Sequence, residues 1–259
     1  MLLAVDIGNT NVTLGVFEGD DLRATWRVST DSSRTADEYG VQIVKLLAEG
    51  EIERGDVEGV VYASVVPPLV AVFESVFRRY LDEVPVLRVG AGVKTGLRVR
   101  YEDPREVGAD RIVDAVAALK LHAPPLIIVD LGTAIVFDAV SREGDYVGGA
   151  IAPGIAVAAD ALAQKAAMLR HVDLRPPKTA IGNNTTAAMQ SGILYGYAEL
   201  VEGMLRRFKA ELGDDAWVVA TGGWAPIIGQ ITHAFDRIDE DLTLHGLRLV
   251  HEMNAGVPS

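Results

Sequence analysis

Leu126-Ile127-Ile128-Val129-Asp130-Leu131-Gly132-Thr133 restates the opening of the chain, Leu2-Leu3-Ala4-Val5-Asp6-Ile7-Gly8-Asn9. In each run four apolar residues lead to an aspartate, and a glycine follows two positions later. A short apolar run closed by turn residues reads as a buried β-strand. In both places a second strand follows, and then the tripeptide Glu-Gly-Asp, at Glu18-Gly19-Asp20 and at Glu143-Gly144-Asp145. The distance from aspartate to that glutamate agrees to within one residue. Two unrelated buried strands would share the apolar taste but not the aspartate, the glycine and the later turn together. Duplication is the better reading. The copies split the 259-residue chain nearly in half, and the natural boundary is the Pro124-Pro125 link. The expected domains are residues 1–122 and 123–259.

Outward from these runs, Val12 to Phe17 and Leu22 to Val28 read as further strands of the first copy. Thr35 to Ala48, Leu69 to Leu81 and Ala109 to Leu121 carry helical spacing. Val57 to Val66 and Val84 to Val89 read as strands. In the second half, Ala150 to Leu169 and Ala187 to Leu212 are expected as helices, and Trp217 to Ala220 as a strand running into Thr221-Gly222-Gly223. Thr35 with Glu38 three residues on fits a capping box, which is preferred to a binding role. Trp26, Trp217 and Trp224 read as packing residues.

Composition narrows the function. The chain is 49% apolar and 23% charged, which is globular and excludes a disordered chain. There are no cysteines, so disulfides, thiolate nucleophiles, zinc ribbons and iron–sulfur clusters are excluded. The net charge of −12 opposes broad contact with nucleic acid or an anionic membrane. It leaves room for a small anionic substrate held by a local site. Met1 to Asp6 lacks the form of a signal peptide. The most apolar later stretch, Gly148 to Ala163, is broken by Pro153, Gly154 and Asp160. A soluble, cytoplasmic protein is expected.

The repeated Asp-x-Gly is the candidate chemistry. A tight turn between two strands bares backbone N–H groups, and glycine lets a ligand approach closely. Asn9 and Thr10 add side-chain donors, and Asp6 would orient a metal ion or water beside a phosphate. One such turn could be a plain structural hairpin. Two copies, with Thr221-Gly222-Gly223 after a later strand, point to phosphate binding, with a pair of hairpins gripping a polyphosphate across a cleft. No G-x-x-x-x-G-K-[ST] occurs, and Gly90 to Gly96 misses G-x-G-x-x-G by one residue and reads as a loop. The five histidines form no ligand pair, and none is assigned to catalysis. Gly108-Ala109-Asp110-Arg111 opens an apolar helical face. Taken alone, Asp110 reads first as a helix N-cap and second as a base accepting an alcohol proton.

Asp6-Ile7-Gly8-Asn9-Thr10-Asn11, Arg34-Thr35-Ala36-Asp37-Glu38-Tyr39, Ser64-Val65-Val66-Pro67, Gly108-Ala109-Asp110-Arg111, Asp130-Leu131-Gly132-Thr133-Ala134, Gly148-Gly149-Ala150-Ile151-x-Pro153-Gly154, Asn184-Thr185 and Thr221-Gly222-Gly223 occur in that order. The ordered set resembles the type III pantothenate kinases, within the actin/hexokinase/Hsp70-type ATPase superfamily. The resemblance implies an α/β protein of two duplicated actin/ribonuclease H-like domains, each a mixed sheet with flanking helices, with a cleft between them. It implies ATP-dependent phosphorylation of pantothenate, the first step of coenzyme A synthesis. The loop Asp6, Ile7, Gly8, Asn9, Thr10, Asn11, Val12 and Thr13 would then hold ATP phosphates and Mg²⁺, with Asp6 as a Mg²⁺ ligand. Thr133 would touch ATP, and Asp130 would hold a monovalent cation, K⁺ or NH₄⁺. Asp110 would be the general base. Tyr101, Gly108, Ala109, Asp110, Arg111 and Thr185 would contact pantothenate. The family also implies a homodimer, with Thr185 reaching the neighbouring subunit's substrate. A phosphatase or ATPase, or a non-catalytic ligand sensor, on the same fold is the alternative.

Two departures stand out. The family usually continues its second hairpin as Thr-Ala-Thr-Thr-x-Asp, whereas this chain reads Thr133-Ala134-Ile135-Val136-Phe137-Asp138. A lysine common before Asn-Thr is Asn183 here. Two hydroxyls and one cation are therefore missing near the expected site.

Overall fold

A computed structural model of the chain describes residues 1–82, 84–166 and 168–255. The chain divides into two compact units. The first comprises Met1–Gly96, Arg105–Ala117 and the chain from Thr243 on; the second comprises Leu97–Pro104 and Ala118–Leu242. The units are thus interleaved along the sequence, unlike the consecutive spans 1–122 and 123–259.

The first part of the chain forms β1 (Leu2–Ile7), β2 (Asn11–Glu18), β3 (Asp21–Ser29), α1 (Ala36–Glu49), β4 (Gly59–Ser64), α2 (Pro67–Tyr80), β5 (Val86–Arg88) and α3 (Ala109–Leu121). The remainder forms β6 (Leu126–Leu131), β7 (Ala134–Val140), β8 (Tyr146–Pro153), α4 (Ile155–Lys165), α5 (Thr185–Leu212), β9 (Trp217–Thr221), α6 (Ala225–Ile228), β10 (Arg237–Ile238) and α7 (Leu242–Asn254). Sheet order is β3-β2-β1-β4-β5 in the first unit and β8-β7-β6-β9-β10 in the second. The pairings match one for one. β1 is antiparallel to β2 and parallel to β4, and β6 is antiparallel to β7 and parallel to β9. The repeat seen in sequence is therefore a repeat of topology, two mixed sheets with flanking helices. Both Glu-Gly-Asp turns use their glycine at positive φ, Gly19 at 59° and Gly144 at 81°, where a side chain would be strained.

β1 and β6 are apolar on both faces because both are covered. Leu3, Val5 and Ile7 face a core closed by α1 and α2, with Tyr39, Ile43, Phe73 and Phe77. Ala4 and Gly15 are register partners, and Gly15 lies under Leu244 of α7. Small residues there let the helix come close. In the second unit Ile127, Val129 and Leu131 face Ile193, Leu194 and Val201 of α5.

α1 starts at the expected capping box: the Glu38 N–H donates to Thr35 Oγ1, and the Thr35 N–H donates to Glu38 Oε2 at 2.8 Å. Thr35→Ala should cost about 1 kcal/mol. A thermal melt should show a drop of roughly 2–4 °C for a chain of this size; an unmoved midpoint would mean the cap contributes nothing. Pro67 is the first residue of α2, a position where its missing N–H is harmless.

One expected helix is corrected. Ala150 to Pro153 belongs to β8, paired with Ala134 to Phe137 of β7, and α4 begins only at Ile155. Burial alternates along Tyr146 to Pro153 with period two, but Gly148, Gly149, Ala150 and Ala152 are too small to show that pattern in a hydropathy reading. β10 and α7 are further elements that the sequence reading did not resolve. Among the described residues no helix is long and apolar enough to cross a membrane.

Candidate functional site

In the first unit, Asp6 is the penultimate residue of β1, with Thr13 of β2 as its register partner and Ala63 of β4 on its other side. The turn is closed by Gly8 N–H donating to Asn11 O at 3.0 Å. Thr30, just beyond β3, locks it from outside: its hydroxyl donates to Gly8 O at 2.7 Å and its N–H to Thr10 O at 2.9 Å. Asn9, Thr10 and Asn11 are exposed while Ile7 and Val12 are buried, so the tip is open and its base is anchored. Sequence reasoning missed Thr30, because only the third strand's register brings it to the turn.

β4 runs parallel to β1 and ends beside it, where Val65 N–H donates to Ile7 O at 3.1 Å. A Cβ built on Gly108 would lie 3.8 Å from Val65 Cγ1 and 2.3 Å from Asp110 Oδ1. Gly108 thus leaves the space in which the Asp110 carboxylate sits. α3 begins at Ala109, so Asp110 lies inside the first helical turn rather than at the expected cap position before it. Its Oδ1 accepts from the Arg111 N–H at 2.9 Å. The first unit therefore gathers Asp6 to Thr13, Ser64 to Val66 and Gly108 to Arg111 at the carboxyl ends of two parallel strands. That is where ligands bind in α/β sheets.

The second unit repeats the plan. Asp130 is the penultimate residue of β6, between Val136 of β7 and Thr221 of β9. Gly132 N–H donates to Ala134 O at 3.0 Å, and Trp224 N–H donates to Leu131 O at 3.1 Å, the counterpart of the Val65–Ile7 bond. Thr133 is exposed at the tip. Two glycines crowd this turn. Gly222, at φ +86°, has no room for a Cβ, which would come within 2.3 Å of Asp130 Oδ1 and 2.8 Å of Leu131 N. A Cβ on Gly154 would lie 2.1 Å from Thr133 O, and Gly154 N–H donates to that oxygen at 3.1 Å. Tyr197 of α5 donates to Pro153 O at 2.9 Å, and burial pushes its phenol pKa up. Tyr101 lies on this unit too, with its ring over Gly148.

Thr185 is the first residue of α5, exposed and one past the N-cap Asn184, whose side chain accepts from Ala187 N–H at 2.9 Å. The preceding segment is tied along α5 by Gln190 to Asp173 O and by Tyr195 to Pro177 O. A Cβ on Gly182 would meet Ala188 N at 2.3 Å.

A family model described as type III pantothenate kinase matches residues 2–207. The chain belongs to this family. The type III pantothenate kinase of Moorella thermoacetica is 51% identical over 254 residues, covering 98% of this chain and all of that protein. That of Dehalococcoides mccartyi strain CBDB1 is 50% identical over 253 residues, covering 98% and 96%. Among solved structures, component A of (R)-2-hydroxyglutaryl-CoA dehydratase from Acidaminococcus fermentans superposes with a TM-score of 0.55 at 14% identity, over 96% of this chain and 95% of that one. At that identity the likeness is one of fold.

Against the type III pantothenate kinase pattern, Ile135 is fully buried in the core under α5, where a branched apolar side chain suits the strand. Val136 stands across from Asp130, while Asp6 in the first hairpin stands across from Thr13. The two copies differ in polarity beside their aspartates. Asn183 is exposed and accepts from the Asn184 side chain at 3.1 Å, so it extends the start of α5 instead of placing a cation there. Two of the histidines take packing roles: His122 stacks on Trp217 and His245 meets the Phe17 ring edge-on.

Proposed function

We propose that this chain transfers the γ-phosphoryl group of ATP to the primary hydroxyl of pantothenate, giving 4′-phosphopantothenate and ADP, the first step of coenzyme A synthesis. Half-identity to type III pantothenate kinases along nearly the whole chain carries this reading. The strand-end turns are its physical support. Phosphoryl transfer passes through a loose transition state, so positioning and charge stabilisation dominate. Asp110 orients the pantothenate hydroxyl and takes its proton as the oxygen–phosphorus bond forms and the bond to the ADP oxygen breaks. Tyr101, Gly108, Ala109, Arg111 and Thr185 contact pantothenate, and Asp6 to Thr13 and Thr133 contact ATP. We propose that the duplicated halves follow residues 1–122 and 123–259 in sequence, with Leu97–Pro104 packing in the second unit and the chain from Thr243 on in the first.

The donor set suits both expected cations. Among the described residues no three His, Asp or Glu come together as a metal cage. Asp6, a carboxylate beside an open turn, suits Mg²⁺, which takes one or two carboxylates and completes its shell with phosphate and water. Asp130, surrounded by turn backbone, suits a hard monovalent cation that prefers oxygen donors. Such ions neutralise charge that the net −12 chain otherwise repels. We also propose a homodimer in the cytoplasm. Exposed Ile151, Val157 and Ile181 on the second unit are surface that a partner could cover.

Purified protein with ATP, Mg²⁺ and pantothenate should form 4′-phosphopantothenate, faster in K⁺ than in Na⁺. Phosphate release independent of pantothenate would instead mean an ATPase, and binding without product a sensor. Asp130→Ala should weaken ATP use and abolish the K⁺ response. A variant whose K⁺ response matched the parent's would remove Asp130 as the cation ligand.

A further inference from the structure

Tyr146 packs beside the proposed pantothenate contact Tyr101. It is fully buried at the start of β8. Its backbone holds the segment that carries Tyr101. Tyr146 N–H donates to Arg98 O at 2.9 Å, and Arg100 N–H donates to Tyr146 O at 2.8 Å, so Val99 forms a single parallel bridge to Tyr146 at the edge of the sheet. Arg100 also pairs with Asp145 at 2.5 Å. The Tyr146 ring stands 6.5 Å from the Tyr101 ring at 51°, within the range of favourable aromatic pairs. Its hydroxyl donates to Asp138 Oδ1 at 2.6 Å, and Asp138 is only 2% exposed. The neighbouring Gly148, at φ +128°, leaves bare backbone under Tyr101, and a Cβ there would touch that ring at 3.6 Å.

A carboxylate buried on a mixed sheet is held by hydrogen bonds that offset its desolvation. Asp138 fixes the Tyr146 hydroxyl by a short charge-assisted bond. That leaves the ring one orientation, and the ring with Gly148 forms the wall on which Tyr101 rests. We infer that Tyr146, anchored by Asp138 and flanked by Gly148, is a positioning residue that sets where Tyr101 meets pantothenate. This rests on the kinase reading above for the ligand, but not for the placement of Tyr101.

The test is Tyr146→Phe, which keeps the ring and removes the anchor. The KM for pantothenate should rise about tenfold, while the KM for ATP stays within twofold and kcat within about threefold, the mark of lost substrate binding. Gly148→Ala should give the same split. The double variant Tyr146→Phe/Asp138→Asn removes the buried carboxylate charge that has lost the tyrosine O–H bond. It should regain thermal stability while keeping the raised pantothenate KM; if KM returned to normal with stability, the role would be structural only and the inference overturned. 3-Fluorotyrosine at position 101 gives a readout free of substrates. Its ¹⁹F resonance should shift or split in Tyr146→Phe, and an unmoved resonance would overturn the inference even with the kinase reading intact. If the parent protein formed no phosphopantothenate, the kinase reading alone would fall, and the ¹⁹F spectrum would still decide the wall.

Discussion

Asp110→Asn is expected to lower the turnover of pantothenate phosphorylation by about 10²-fold or more, the usual scale for a positioned base, with ATP affinity close to the parent's. The amide is isosteric and can still accept the Arg111 N–H bond that Asp110 Oδ1 accepts now. It fits the space that Gly108 leaves, so the helix start should persist. What the amide cannot do is take a proton. A primary hydroxyl is a poor nucleophile at neutral pH, and a loose transition state asks for that proton late. The loss should therefore be large but not total, because positioning is untouched. Steady-state kcat together with calorimetric ATP binding checks this. Full turnover in the variant would remove Asp110 as the base, and lost ATP binding would assign it a different role.

Gly222→Ala is the second large effect. At φ +86° an L-residue pays roughly 1–2 kcal/mol in backbone strain, and the added methyl would overlap Asp130 Oδ1 and the Leu131 backbone. Neither can yield without moving the second hairpin, because Leu131 is fully buried and bonded to Trp224 N–H. A displacement near 1 Å in such a constellation can cost about 10² in rate. Gly19→Ala supplies the contrast. Its φ is also left-handed, +59°, yet nothing lies within 4 Å of the added Cβ. It should lose about 1 kcal/mol of stability and keep its turnover. Measured side by side, kcat/KM for ATP should fall about a hundredfold in Gly222→Ala and hold in Gly19→Ala. Equal turnover in the two variants would show that the contact of Gly222 with Asp130 has no part in the reaction.

Much of the fold was legible because its decisive signals are local. Leu2 to Asp6 and Leu126 to Asp130 advertise buried strands by unbroken apolar runs, and the turn glycines at 19 and 144 are required by their backbone angles. Thr35 and Glu38 state the start of α1 by spacing alone. β8 was misread because Gly148, Gly149, Ala150 and Ala152 carry little hydrophobic contrast; their partners on β7, distant in chain terms, make them a strand. The two turns of the candidate site were legible for the same reason as the strands. The helix that Asp110 helps to open was legible but not the residue's place in it, since a cap and a first-turn residue differ by a single step of backbone. The two departures from the family pattern were visible at once, yet only the sheet shows that Ile135 enters the core and Val136 faces Asp130.

The sequence by itself determined that the chain is a duplicated α/β protein with an aspartate at the end of each leading strand, because apolar runs, turn glycines and a capping box are properties of neighbouring residues. Only the tertiary structure decided that Thr30 locks the first turn, that Gly222 stands against Asp130, and that Asp138 and Tyr146 carry Tyr101. Those contacts join residues far apart in the chain, and strand register with helix packing, not local preference, brings them within reach.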